Sequence, residues 1–307
     1  MTQYIFRRLL QMIPITLGIL TLVFSLIHLI PGDPAMQIAG EGARPEDVQA
    51  IRKALGLDEP LLTQYVHFLT RLAHGDLGRS FRTGSSVSAE IFTRYPATIE
   101  LAFGAMFVAI LVAFPLGMIS AIYRNSWIDN VARFFALVGV SMPSFWFGPL
   151  LIIAFAINHT WFPVSGRDEG LRSLVLPSLT MGLALAAILT RMIRVSVAEE
   201  LNQLYVTTAI AKGVTRVKAI FRHALKNAMI PVITVLALQF GSLLTGAIIT
   251  EQIFSWPGLG RLLIQSITTR DYPQVQASIL VIALTYILVN FISDLLYAVV
   301  DPRIKLE

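Results

Sequence analysis

Cysteine is absent from the 307 residues, which excludes a disulfide-stapled ectodomain and a thiolate metal site. Charge is scarce as well. Only 14% of residues are Asp, Glu, Lys or Arg, against roughly 25% in an average soluble domain, and 55% are hydrophobic. No lysine follows a glycine, so the chain has no Gly-Lys-Ser/Thr loop with which to cradle a phosphate. The five histidines, His28, His67, His74, His159 and His223, form no His-Glu-x-x-His pattern, and no Gly-x-Ser-x-Gly elbow occurs. His67 and His74 stand two helical turns apart and can approach one another, but exposed histidines are ordinarily just solvated. No catalytic residue, metal ligand or bound cofactor is expected in this chain.

What is present is length without charge. Six stretches reach the roughly 20 apolar residues that a helix needs to cross about 30 Å of hydrocarbon: 9–30, 99–123, 131–157, 174–190, 229–250 and 275–300. The fourth is the shortest. These runs are continuous rather than alternating, which favours helices over a membrane β-barrel. The expectation is an all-α membrane protein with six transmembrane helices. In the third run, SMPSFWFGP places Pro143 and Pro149 where each removes a backbone donor, so a kink or break is expected there.

Basic residues orient the spans. With both termini inside, the cytoplasmic segments hold Arg7 and Arg8, Arg124 and Arg133, then Arg191, Arg194, Lys212, Arg216, Lys218, Arg222 and Lys226, and finally Arg303 and Lys305. The two shorter outer segments hold only Arg167, Arg172, Arg261 and Arg270. The outer segment after the first span holds seven more, but segments of that length cross largely regardless of charge. Basic residues gathered at span ends need no nucleic acid to explain them. The N-terminal run resembles a secretory signal in polarity, yet it is long and closes on His28-Leu29-Ile30-Pro31-Gly32-Asp33-Pro34 without a small-residue cleavage site, so it reads as a retained span.

The organisation follows: an inner N-terminus and first span (1–30), an outer helical segment (31–98), a membrane core (99–300) and an inner tail (301–307). The outer segment opens with a PGDP turn. It continues with VQAIRKALGL and LLTQYVHFLTRLAHG, both apolar at helical spacing. Within the core, the basic inner loop 191–228 is helical enough to dock on a cytoplasmic partner. The outer segment 252–274 carries Trp256 and Tyr272, which suit a membrane interface, the Pro257-Gly258 turn, Arg261, and a short amphipathic helix over 259–267. It reads either as an ordinary interfacial connection or as a lid over an external gate. On the fifth span, Gln239, Ser242, Gly246 and Thr250 fall on one helical face. That stripe fits a polar translocation path, and equally the small-residue packing that helices in lipid prefer. Glu251 sits at the outer end of that span. Asp294, in the sixth, is costly in lipid and needs a partner or water.

Several motifs in order, namely YIFRRLLQMIPI, HLIPGDP, HGDLGRS, TAIAKGVTRVKAIFRHALKNAMIPV, TEQIFSWPGLGRLLIQSITTRDYPQVQ and VDPRI, resemble the inner-membrane permease subunit of binding-protein-dependent ABC importers. The resemblance is to the dipeptide, oligopeptide and glutathione branch. It implies a type I ABC importer permease architecture with a periplasmic helical insertion after the first span, in the bacterial inner membrane. It implies as partners a second, similar permease completing the pore, two ATPase subunits (same or different) that hold ATP and Mg, and a periplasmic or lipid-anchored substrate-binding protein, all within membrane lipid. The wider family's Glu-Ala-Ala, three residues, Gly, nine residues, Ile-x-Leu-Pro motif, anchored on Gly213, places Thr207-Thr208-Ala209 and His223-Ala224-Leu225-Lys226 at its two ends. The acidic residue is missing, and Ile210 replaces an Arg usual in the branch. By this resemblance the ATPase-coupling helix is 205–213, with Tyr205, Thr207, Thr208, Ala209, Ala211, Lys212 and Gly213 as its contact residues. Related permeases carry peptides, glutathione, nickel complexes or oligosaccharides. A stand-alone channel or a secondary carrier is the alternative from another class.

Overall fold

The structure is a computed structural model and describes residues 2–29, 34–39, 42–54 and 56–300. Residues 31–33 of the expected PGDP turn and the tail 301–307 lie outside the described residues. Helices follow one another as α1 (Thr2–Leu29), α2 (Pro34–Ala39), α3 (Pro45–Ala54), α4 (Leu61–Ala73), α5 (Val87–Ile122), α6 (Trp127–Ser141) and α7 (Ser144–Leu151). A π-helical turn, Ile152–Ile157, continues α7. Then come α8 (Leu171–Leu201), α9 (Leu204–Ala211), α10 (Arg216–Ala219), a second π-helical turn (Ile220–Ala224), α11 (Leu225–Ile253), α12 (Leu259–Thr268) and α13 (Tyr272–Val300). Among the described residues there is no strand beyond one isolated bridge between Arg79 and Ser86.

Five helical stretches are long and apolar enough to cross a membrane: Ile5–Ser25, Val87–Ile122, Leu171–Leu201, Arg216–Thr245 and Tyr272–Tyr297. The pair Trp127–Gly139 and Ser144–Ile157, bent by 102°, brings the total to six when taken as one broken span. The break falls at Pro143, as expected. Met142 before it is extended, as pre-proline sterics favour, and the Pro143 carbonyl restarts the helix by accepting from the Trp146 and Phe147 amides. Most helix ends differ from the expected spans by a few residues, and three differ by more, the first being α1, which begins at Thr2 rather than at residue 9. α5 begins at Val87 and runs through Pro96, and α8 continues past Arg191 and Arg194 to Leu201.

The chain divides into two compact units, 97–257 with the chain from 288 onward, and 2–96 with 258–287. In the first unit α8 is the central element, touched by α6, α7 and α11. Small residues let it lie close to α5, as helices in lipid require when packing rather than water drives association. A Cβ built on Gly182 would stand 2.6 Å from the Ala105 carbonyl oxygen, and one on Gly117 2.7 Å from Ile193 Cβ. Ala102, Ala105, Ala109 and Ala113 line the same buried cluster as Leu185, Leu189 and Ile193.

In the second unit, Phe24 of α1 packs on Tyr65 and Phe68 of α4, with ring centroids 5.1 and 5.8 Å away. Thr21 and Tyr65 share a 2.9 Å hydrogen bond, and the Gln276 amide donates to the Val23 carbonyl at 2.8 Å. Asp271 accepts from the Ser80 hydroxyl and from the Phe81 amide, the latter at 3.1 Å. The loop before α5 is thereby held to the start of α13. α3 carries Glu46 and Asp47 in its first turn and Arg52 and Lys53 in its last, which complements the helix dipole.

Candidate functional site: an exposed docking helix and an enclosed polar cluster

α9 is the observed form of the expected 205–213 helix. It starts after Gln203, whose carbonyl accepts from the Val206 and Thr207 amides at 3.1 and 3.3 Å. It stops through glycine chemistry. Gly213 has φ +90°, its amide donates to the Ile210 carbonyl at 2.9 Å, and the Val214 amide donates to the Ala209 carbonyl at 3.1 Å. That pair of bonds is the Schellman arrangement, and a positive φ is what only glycine adopts without strain.

One side chain pins α9 to the protein. Val206 is 1% exposed and packs with Ala219 and Ala224, with Leu201 and Val214 around them. Most of the rest is exposed: Tyr205, Thr207, Thr208, Ala211, Lys212 and Gly213 are exposed, Ala209 is half-buried, and apolar Leu204 is 84% exposed. Tyr205 donates to Glu200 and accepts from the Asn227 amide at 3.0 Å, which ties α9 to the end of α8 and the start of α11. A helix held by one buried valine and presenting leucine, isoleucine and threonines is a surface shaped for a partner.

Sequence reasoning missed an ion pair between α6 and α8. Asp129 of α6 is 0% exposed. Its carboxylate accepts from Arg194 Nε at 2.6 Å and from Arg194 Nη2 at 2.7 Å, from the Ser120 hydroxyl, and from the Asn125 amide at 2.9 Å. Arg194, read as a loop cation, instead joins α8 to α6 and to the end of α5 through one carboxylate.

The enclosed cluster belongs to the outer end of α11. Thr250 and Glu251 are both fully buried. Thr98 donates to Glu251 at 2.6 Å, and the Thr250 hydroxyl has no hydrogen-bond partner. Trp256, expected at a lipid–water boundary, is 0% exposed: its indole N–H donates to the Ala97 carbonyl at 2.7 Å and its own amide to the Glu251 carbonyl at 2.8 Å. Arg167 pairs with Glu100 and stands over the Trp256 ring at 5.9 Å. Tyr272 is also buried rather than interfacial.

The remaining expected residues are dispersed. Gln239 is half-buried and Ser242 exposed, so with Thr250 enclosed the stripe on α11 does not share one environment; the surroundings of Gly246 lie outside the described residues. Pro257 is half-buried beside Trp256 in the first unit. In the second unit, buried Gly258 caps α12, its carbonyl accepting from the Leu262 amide at 3.2 Å, and Arg261 is half-buried on the first turn.

Helices long and apolar enough to cross a membrane, with a short, capped, largely exposed helix between two of them, define an all-α membrane component. The sequence matches the family described as "Binding-protein-dependent transport system inner membrane component" over residues 113–306, and that family's N-terminal region over residues 1–102. The chain belongs to this family. It is 44% identical over 332 residues to the dipeptide transport system permease protein DppB of Alkalihalophilus pseudofirmus, covering 99% of this chain and 100% of that protein. It is 42% identical over 305 residues to the glutathione transport system permease protein GsiC of Escherichia coli, covering 99% of each. Among solved structures, the fold is similar to a chain of the inward-facing MetNI methionine ABC transporter (TM-score 0.60, 14% identity, 69% of this chain and 96% of that one). It is also similar to a chain of an amino acid ABC transporter with histidines (TM-score 0.53, 17% identity, 68% and 94%).

Proposed function

We propose that this chain is one of two permease subunits of an ATP-driven importer, forming half of a translocation pore for small peptides, either di- or oligopeptides or glutathione. The substrate class rests on full-length identity above 40% to permeases named for dipeptide and glutathione transport. The observation that carries the mechanism is α9, pinned by Val206, closed by Gly213 and otherwise largely exposed. A helix of this kind seats in a groove of a partner as a rigid element. In the reading proposed, that partner is an ATPase subunit holding ATP and Mg, so this chain catalyses nothing itself.

Closure of two ATPase subunits would displace α9, and α8 would carry the displacement. The only interruption between them is the Asn202-Gln203 turn, and Asp129–Arg194 ties α8 to α6 close to that turn. The stroke would therefore move α6 and α8 together. At the other end of α11, Glu251, Thr98 and Trp256 supply a hydrogen-bonded closure that such a movement would open, and with Pro257 beside it this closure is the external gate of the reading proposed. In the reading proposed, a binding protein delivers substrate on that side and both termini lie in the cytoplasm, the orientation that the basic residues at the span ends favour.

The test is to tag the chain, extract it gently from its native membrane and identify what accompanies it by mass spectrometry, then measure uptake of labelled dipeptide and glutathione in intact cells. The proposal expects an ATPase and a second permease, and uptake that requires ATP and a separate binding protein. A chain recovered alone that still transports would replace it with a channel or carrier.

A further inference from the structure

At the α9 end of the first unit lies a cavity of about 400 Å³ that the transport mechanism does not use. Its lining includes Arg124 from the α5–α6 connection, Asn202 after α8, Val206 and Ile210 of α9, and Arg216 at the start of α10, with no acidic residue among the described residues. Arg124 and Arg216 are both exposed. Among the described residues neither Arg124 nor Arg216 makes a side-chain hydrogen bond or ion pair; exposed Arg191 and Arg222 share that property, and what sets Arg124 and Arg216 apart is the cavity both line. Two unpaired guanidinium groups around one polar cavity call for an anion.

The position of the cavity says which anion. Arg124 follows directly on α5, a membrane-crossing helix, and lies between Tyr123, 54% exposed, and Trp127, 73% exposed. Exposed tyrosine and tryptophan flanking a span mark the headgroup level of a bilayer. At that depth the abundant anion is the phosphodiester of a lipid, and basic pockets between membrane helices are suited to such headgroups. We propose that Arg124 and Arg216, assisted by the Asn202 amide, hold the headgroup phosphate of an anionic phospholipid. The planar guanidinium fork matches phosphate oxygens two at a time, and a lining with two cations and no acid discriminates against a zwitterionic headgroup. The lipid would bridge the α5–α6 connection to the α9–α10 turn and so fasten the base of the docking helix to the bilayer. The inference rests on membrane embedding alone and is independent of what the chain transports.

The experiment places the full-length chain in nanodiscs of equimolar phosphatidylglycerol and phosphatidylcholine, releases it, and counts retained lipids by native mass spectrometry. The wild type is expected to retain phosphatidylglycerol preferentially. An Arg124→Gln, Arg216→Gln double variant should lose that preference by roughly tenfold or more, and a double lysine variant, which keeps the charge but not the fork, should fall between it and the wild type. A wild type without preference overturns the proposal with no variant needed. So does a folded glutamine variant that retains phosphatidylglycerol as before. The third overturning result is a glutamine variant that keeps its lipid but loses an ATPase subunit on extraction from native membranes, which would assign the two arginines to a partner's carboxylates.

Discussion

α9 and the segment 250–256 are both short passages at the ends of membrane-crossing helices, and they are finished in opposite ways. α9 leaves leucine, isoleucine and threonine outside and buries one valine. The segment 250–256 buries a threonine, a glutamate, a phenylalanine and a tryptophan, and α5 supplies hydrogen bonds to two of them, Thr98 donating to Glu251 and the Ala97 carbonyl accepting from Trp256. An apolar residue left outside on a capped helix costs the isolated chain little and is useful only against something else. A buried glutamate held by a threonine hydroxyl is expensive unless its partners stay in place. One segment is left open to a partner, and the other is held shut by α5.

That contrast breaks if enclosed and exposed positions respond alike to substitution. The largest effect is expected at Asp129→Ala, which leaves Arg194 without its carboxylate: breaking a buried pair in this way costs about 3–5 kcal/mol, seen as lost folded yield and a lowered Tm in detergent. Gly182→Val should follow. Its added carbons meet the Ala105 carbonyl and Val108, and overpacking of this kind costs about 1–3 kcal/mol, readable from the same thermal unfolding curve. Trp256→Phe removes the donor to the buried Ala97 carbonyl, at about 1–3 kcal/mol, and uptake assays should show a leak or a stalled gate.

The exposed segment should behave differently. Gly213→Val meets open space but must hold a positive φ, a strain of about 1–2 kcal/mol confined to the end of α9. Membrane insertion should stay intact while ATPase recovery and ATP-coupled uptake fall. Leu204→Ser should leave Tm unchanged, with a stability effect within about 0.5 kcal/mol, yet weaken recovery of the partner. A variant at Leu204 that lowered Tm as much as Trp256→Phe would erase the distinction.

The spans are legible because an uninterrupted apolar run has few other uses, and α9 is legible because Gly213 and the motif around it are local. The break at Pro143 is local too. Span ends are another matter. Arg191 and Arg194 look like the close of a helix, but Arg194 is neutralised by a residue 65 positions earlier, and α8 goes on to Leu201. Asp129, three residues after Ser126, looks like an ordinary helix start, and Ser126 does cap α6 by accepting from the Asp129 amide. Nothing within its own turn announces that its carboxylate serves α8. Trp256 misled for a similar reason: tryptophan suits the membrane interface and also a buried site whose carbonyl needs a donor, and only the Ala97 carbonyl decides between them.

The 102° bend between α6 and α7 also bears on how the chain enters the membrane. At 1.5 Å per residue the two halves are each about 20 Å long, shorter than the roughly 30 Å hydrocarbon layer. Neither half would be recognised as a span by itself. Taken as one broken span, 127–157 has to be accepted by the insertion machinery as one hydrophobic unit, which the fold then creases. Counting spans during synthesis and counting rigid arms in the finished protein give different answers, and Pro143 is the residue that makes them differ.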